Sequence, residues 1–348
     1  MCARFAYLNA GTLGPLPRRS GEATARWARR LVEEGRSSKA LFEELLALRE
    51  NVRGKVGGLL NAPEGSIAIT TATTDGCNIV VTGLGIGPGD EVVTTDSEHP
   101  GLFGALVASG ATLRIANIRD RPAGEALALL DEQITDQTRL VALSHVSWLT
   151  GAVLPLEELA QRGPPLLVDG AQAAGAIPVD VRELGCDFYT VSAQKWLLGP
   201  EATGALFVRP DHVDELRMTF PSYLSWQFPD YVPKPNASRF DPGWIPAGSL
   251  AGLAESLAFA DEAGPDRFRR AREMAERCRE LLAARGPVVT EPGQATLVSW
   301  PAEEPERVAE QLAQAGVVVR DLPGTGWVRA SCGFWTSEED LERLVRAM

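Results

Sequence analysis

Seven short apolar runs, most of them separated by helix-length segments, constrain this chain more than any other feature. They lie at 66–71, 91–95, 112–117, 139–144, 165–169, 187–192 and 204–209. Strands that alternate with helices pair in parallel, and a parallel sheet must be covered on both faces. The expected fold class is therefore α/β, with a large, mainly parallel, seven-stranded sheet. Upstream, Leu41, Leu45, Leu48, Val52, Val56 and Leu59 recur at three- and four-residue steps and form one apolar helix face.

Domain organisation follows from where this alternation stops. Residues 1–17 read as an extended arm rich in Gly and Pro, 18–247 as the large domain, and 248–348 as a smaller α+β domain. The stretch 220–247 holds many prolines and aromatics, among them Phe220, Tyr223, Trp226, Phe228, Tyr231 and Trp244. It reads as a long irregular loop, packed rather than free. Two domains suit 348 residues at about 100–200 residues each.

The chain carries 34 Lys and Arg against 46 Asp and Glu, a net charge of -12. Such a surface repels nucleic acid and anionic lipid, so neither is expected as a partner. Five cysteines, Cys2, Cys77, Cys186, Cys278 and Cys332, show no paired spacing and no zinc pattern. Reduced thiols in a cytoplasm, no metal, no signal peptide and no membrane span are the expectations.

Chemistry concentrates late in the apolar series. Asp169 closes the run 165–169, and ligands of parallel sheets bind beyond the carboxyl ends of the strands. Lys195 follows the run 187–192 and precedes Trp196, Leu197 and Leu198. Against an apolar wall an ammonium loses hydration and its pKa falls, which favours a nucleophilic amine able to form an imine. A lone lysine after a strand is ordinarily a surface residue, so the weight rests on its company.

That company is Asp-Gly-Ala-Gln at 169–172 followed by Ser-Ala-Gln-Lys at 192–195. In type, order and spacing the two motifs resemble those of the class V, fold type I family of pyridoxal phosphate (PLP) enzymes, which includes the cysteine desulfurases. The resemblance implies PLP carried as an imine on Lys195, which then serves as base for the substrate α-proton. Asp169 would keep the pyridine nitrogen protonated and the ring an electron sink. Gln172 would bond the ring hydroxyl oxygen, and Ser192 and Gln194 the phosphate. Thr73 and Thr74 match the family's phosphate-binding turn at a helix start, with Asp75 in place of Glu. His99, in a Glu-His pair, would lie flat on the ring and relay protons. Ala10, Gly11 and Thr12, in an entry motif at 7–15, would offer backbone contacts to the substrate. Arg329 matches the arginine whose guanidinium fork grips the α-carboxylate.

The departures from the family narrow the reaction. A desulfurase needs a nucleophilic cysteine on a mobile loop shortly before that arginine, and 320–329 is short and has none; Cys332 follows Arg329. Trp148, counted among the substrate-side residues, replaces the family's asparagine near the cofactor hydroxyl. Trp244 replaces a threonine that reaches a partner subunit's phosphate. These features are more similar to the cystine/cysteine C–S lyases and related sulfoxide lyases of class V. The expected activity is a C–S β-lyase acting on cystine, cysteine, an S-substituted cysteine or a sulfoxide, releasing a sulfur species, pyruvate and ammonia. A class V aminotransferase or epimerase is the alternative. A desulfurase stands lower, and intact Asp169, Gln172 and Lys195 argue against a non-catalytic binding protein. The expected partner is a small-molecule amino-acid substrate. A homodimer is expected because fold type I sites sit between two subunits. The aromatics of 220–247 are read as packing the loop or that interface in preference to shaping a substrate pocket.

Overall fold

The computed structural model describes residues 4–348. Cys2 lies outside the described residues, as does the start of the expected arm. Strand β1 (Ala6–Tyr7) is followed by helices α1 (Arg18–Glu33) and α2 (Lys39–Leu59). The large sheet then takes β2 (Ile67–Thr70), β3 (Glu91–Thr95), β4 (Thr112–Ala116), β5 (Thr138–Ser144), β6 (Leu166–Asp169), β7 (Phe188–Ser192) and β8 (Gly204–Val208). Every apolar run becomes a strand of this sheet, within one residue of its expected ends. The spatial order is β2-β8-β7-β6-β5-β3-β4, and β8 alone runs against the others.

Helices α3 (Thr73–Gly83), α4 (Pro100–Ser109), α5 (Ala126–Asp131), α6 (Leu156–Leu159) and α7 (Val181–Leu184) connect these strands. Neighbouring residues on a strand face opposite sides, and here both sides are apolar. Val141, Leu143, Val168 and Val191 enter one core with Val52 and Val56 of α2. Leu140, Ala142, Leu167 and Phe188 enter the other with Ile79 and Val80 of α3 and Leu102 and Leu106 of α4.

After β8 comes the aromatic stretch, which forms a small hairpin of β9 (Trp226–Gln227) and β10 (Val232–Pro233). Phe220, Tyr223, Phe228, Tyr231 and Trp244 remain exposed on it. Helix α8 (Ala247–Glu262) places Leu250, Leu253 and Leu257 in the core that α2 also lines, so that core continues past residue 247. Helix α9 (Asp266–Ala283) leads into the second layer. There β11 (Leu297–Pro301), helix α10 (Pro305–Gln314), β12 (Val317–Val318), β13 (Arg320–Leu322), β14 (Trp327–Ser331) and α11 (Glu338–Ala347) follow in order. Strand β14 is central, antiparallel to both β11 and β13. The N-terminal arm is stitched into this layer: β1 pairs with β12, and Ala6 and Leu8 join its core with Val298, Val328 and Leu341. No helix among the described residues is long and apolar enough to cross a membrane.

One buried charge cluster fixes the end of the aromatic stretch. Asp241 accepts from Arg49 Nε at 2.7 Å, Arg53 Nη2 at 2.9 Å and the Ile69 N–H at 2.8 Å. A buried carboxylate survives only when paired and hydrogen-bonded in this way. Burial pushes its pKa up, but Arg53, Arg49 and the backbone donor hold it below the ordinary carboxylate value. Because the folded pKa is depressed, this stabilisation is present above the unfolded carboxylate value and is lost as pH falls through the folded one. Asp241→Ala should cost about 3–5 kcal/mol in urea unfolding at neutral pH, with a smaller deficit in acid. A wild-type midpoint at neutral pH would show that the cluster is not an anchor.

Candidate active site

The carboxyl ends of β2, β3, β5, β6 and β7 share one edge of the sheet, because all these strands point the same way. The residues singled out in sequence collect there. Thr73 and Thr74 open α3 just past β2, His99 caps α4 past β3, and Trp148 follows β5. Asp169 ends β6, and Ser192 ends β7 with Gln194 and Lys195 in the turn beyond it. Arg329 reaches the same place from β14 of the small layer.

Lys195 and Asp169 interact electrostatically here. Loss of hydration brings the Lys195 amine down to about 8; the Asp169 charge opposes this and the Arg329 charge adds to it. Asp169 is only 3% exposed, and burial raises its pKa. The Lys195 charge, the Ala171 N–H at 2.9 Å and the Thr73 hydroxyl pull it back. A cation set against this carboxylate would therefore favour its ionised form.

Helix α3 has no side-chain cap, its N-cap being Ala72. The Thr73 N–H donates to Ser192 Oγ at 3.1 Å, and Ser192 Oγ lies 3.3 Å from Thr73 Oγ1. Two hydroxyls thus meet beside an uncapped helix start, a setting that suits a phosphate. Gln194 Oε1 is buried with no hydrogen-bond partner.

His99 Nδ1 accepts from the Gly101 N–H at 3.1 Å, so the ring proton sits on Nε2. Burial lowers His99 to about 4, helped by the charges of Lys195, Arg329 and Arg320, which keeps the imidazole neutral. Trp148 meets it edge-on, with ring centroids 5.3 Å apart. Arg329 is 2% exposed and, among the described residues, pairs with no carboxylate. Its Nη1 donates to the Trp148 carbonyl at 2.7 Å, and its Nε has no partner. Burial, with the charge of Arg320 added, lowers Arg329 to about 9.

The arm and Gln172 are engaged with the protein itself. Gln172 Nε2 donates to the Gly11 carbonyl at 2.9 Å, and its Oε1 accepts from Trp196 Nε1 at 2.9 Å. The Gly11 N–H donates to Ser331 Oγ and the Thr12 N–H to the Asn9 carbonyl. Ala10 is buried between the two layers with Trp196 and Leu297.

Sequence reasoning gave no role to two other groups. Glu98 accepts from the Ser144 N–H at 2.9 Å, Ser144 Oγ at 2.6 Å and Thr95 Oγ1 at 2.6 Å, tying the loop that carries His99 to the end of β5. Desolvation pushes Glu98 up to about 7, with the Asp169 charge adding to it. A serine closing an otherwise apolar strand was the available signal. Arg320 lies directly opposite Arg329 in the β13–β14 register, and among the described residues its side chain makes no hydrogen bond or ion pair. Only the pairing of those two strands reveals that neighbourhood.

Comparison with known proteins agrees with this geometry. Residues 15–344 match the family described as Aminotransferase class-V. The isopenicillin N epimerase of Streptomyces clavuligerus is 30% identical, covering 98% of this chain and 93% of that protein. A probable cysteine desulfurase of Halalkalibacterium halodurans is 28% identical, covering 86% and 81%. The cystine C–S lyase C-DES, solved with its reaction product cysteine persulfide, superposes with a TM-score of 0.92 at 30% identity, covering 99% of this chain and 97% of that one. A C-DES variant solved with glycine covalently linked to its PLP cofactor gives the same TM-score at 29% identity, covering 99% and 96%. The chain belongs to the class-V aminotransferase family and is a PLP-dependent enzyme.

In the cofactor-free protein, the Lys195 amine should titrate near pH 8 by NMR of isotopically methylated lysines. Asp169→Asn removes the charge that holds the proton, so it should move the midpoint lower. A midpoint at the ordinary lysine value of about 10.4 would contradict the desolvated environment.

Proposed function

We propose that the enzyme is a carbon–sulfur β-lyase acting on cystine and S-substituted cysteines. One observation carries this reading. The hairpin of β13 and β14 closes through residues 323–326, holds no cysteine, and presents Arg320 and Arg329 side by side without carboxylate partners among the described residues. A desulfurase must bring an enzyme thiolate to the substrate sulfur. The free cysteines among the described residues, Cys77, Cys186, Cys278 and Cys332, are all buried. Cys332 has a thiol pushed well up, by its hydrogen bond to Cys278 and by burial.

The residues divide the work as follows. Thr73, Thr74, Ser192 and Gln194 would hold the phosphate, and Asp169 would face the ring nitrogen. When bound, PLP supplies an electron sink for negative charge at the substrate α-carbon. Arg329 grips the α-carboxylate as a planar fork, and its buried, otherwise unpaired guanidinium favours an anion there. Lys195 Nζ, with its lowered pKa, takes the α-proton. Loss of that proton, and of sulfur with the β-carbon–sulfur electron pair, leaves an unsaturated amino acid that water converts to pyruvate and ammonia. Trp148 and neutral His99 wall the site on the substrate side. Arg320 fits a second carboxylate, which cystine carries and S-methylcysteine lacks.

Epimerisation, the activity named for the Streptomyces clavuligerus relative, is the second reading. It requires proton delivery from the face opposite the base. His99 would have only its neutral Nε2–H for that task, a weak acid. The exposed rings of Phe42 and Trp244, with the half-buried Trp27, line an apolar groove that we assign to a second copy of the chain.

The PLP-loaded enzyme should release pyruvate and ammonia from cystine and from S-methylcysteine, and Lys195→Ala should abolish both. Arg320→Ala should raise KM for cystine about tenfold or more, as expected for loss of a charged hydrogen bond, and leave S-methylcysteine unaffected. Inversion of the α-carbon without pyruvate would replace the lyase by the epimerase.

A further inference from the structure

The segment from Asn9 to Gly14 reaches the Arg329 guanidinium at one point and the main chain of the Lys195 turn at another. At one end it is bound to the small layer. Asn9 bridges Ser331 in parallel, the Ser331 N–H donates to the Leu8 carbonyl, and the Gly11 N–H donates to Ser331 Oγ at 3.2 Å. At the other end it is bound to the lysine turn, where the Gly14 N–H donates to the Gln194 carbonyl at 2.7 Å. Midway, Gln172 Nε2 holds the Gly11 carbonyl, while Gln172 Oε1 is held by Trp196, the residue after Lys195. The turn is closed internally by Thr12 Oγ1 on Asn9 Oδ1 at 2.8 Å and by the Thr12 and Leu13 N–H groups on the Asn9 carbonyl.

Gly11 is pressed against the Arg329 guanidinium and Gly14 against the main chain of Lys195. A Cβ on Gly11 would stand 2.6 Å from Arg329 Nη2 and 2.9 Å from Ser331 Oγ. A Cβ on Gly14 would overlap the main-chain carbonyl oxygen of Lys195. Neither position has a left-handed backbone, so conformational freedom is not what calls for glycine there. Close approach is.

We propose that this segment is a spacer that sets the position of the Arg329 guanidinium relative to Lys195, with Gly11, Gly14 and Gln172 as positioning residues. The proposal rests on the reading of Arg329 as the carboxylate grip. Gly11 fixes where the fork stands, Gly14 fixes the lysine turn, and Gln172 keeps the two ends in register. Arg329 comes from the small layer and Lys195 from the large one, so the segment is a short covalent path between layers that are joined elsewhere through α9 and by hydrogen bonds such as Ser299 Oγ to the Leu149 carbonyl. Its length and its two missing side chains are then part of substrate recognition.

The test uses PLP-loaded wild type and variants with S-methylcysteine and its α-carboxamide, together with the pH titration of the bound cofactor's absorbance. Wild type should prefer the acid over the amide; equal KM values would remove the Arg329 reading, and the proposal with it. Gly11→Ala should raise KM for the acid about tenfold or more, since small misplacements of a clamp are costly, with little change for the amide or the absorbance titration. Gly14→Ala should do the reverse, shifting the titration midpoint while preserving the ratio of acid to amide. Gln172→Glu keeps an acceptor for Trp196 but cannot donate to Gly11, so both readouts should move; it also tests the idea if Gly14→Ala does not fold. An unchanged acid-to-amide ratio in Gly11→Ala, where wild type discriminates, would overturn the proposal. So would an unaltered pair of readouts in Gln172→Glu.

Discussion

A lysine amine and a carboxylate, both stripped of most of their water and held at the ends of adjacent parallel strands, are the interaction on which the remainder depends. Register decides it: β6 and β7 pair Asp169 with Thr190, so Lys195, in the turn after Ser192, comes back over the same sheet edge. Burial disfavours both charges, and each partly offsets the cost to the other. The result is an amine that loses its proton far more readily than a surface lysine and a carboxyl group that favours a positive partner. Both properties suit a pyridine ring bound through Lys195.

The two layers contribute different parts of the site. The large sheet supplies a fixed platform of uncapped helix start, hydroxyls and carboxylate. The small layer supplies cations on a short hairpin, reaching across to the Trp148 carbonyl. Arg329 and Arg320 also keep His99 neutral from a distance. The proposed carboxylate grip therefore lies where the layers meet, and the N-terminal segment threads that junction with Ala10 buried in it.

Much of this was legible in the sequence, and the illegible part has a physical cause. Strands of the large sheet could be read because each is a short apolar run covered on both faces, and the paired motifs at 169–172 and 192–195 pointed to the cofactor. Arg329 was found through its motif, whereas Arg320 was not. Its nearness to Arg329 depends on how β13 pairs with β14, which no local pattern encodes. Gln172 was assigned to the cofactor from its motif, and the motif did not announce that one of its two N–H donors goes to Gly11 and one oxygen lone pair to Trp196. Contacts between residues so far apart in the chain are settled by packing. The continuation of the large core into α8 was hidden for the same reason, since a helix does not declare which layer it covers.

The covalent site of the cofactor tests the central claim most directly. Borohydride reduction of the PLP-loaded protein, followed by peptide mapping, should place the phosphopyridoxyl label on Lys195. Label on Lys39, Lys55 or Lys234 instead, or on no lysine, would contradict the account.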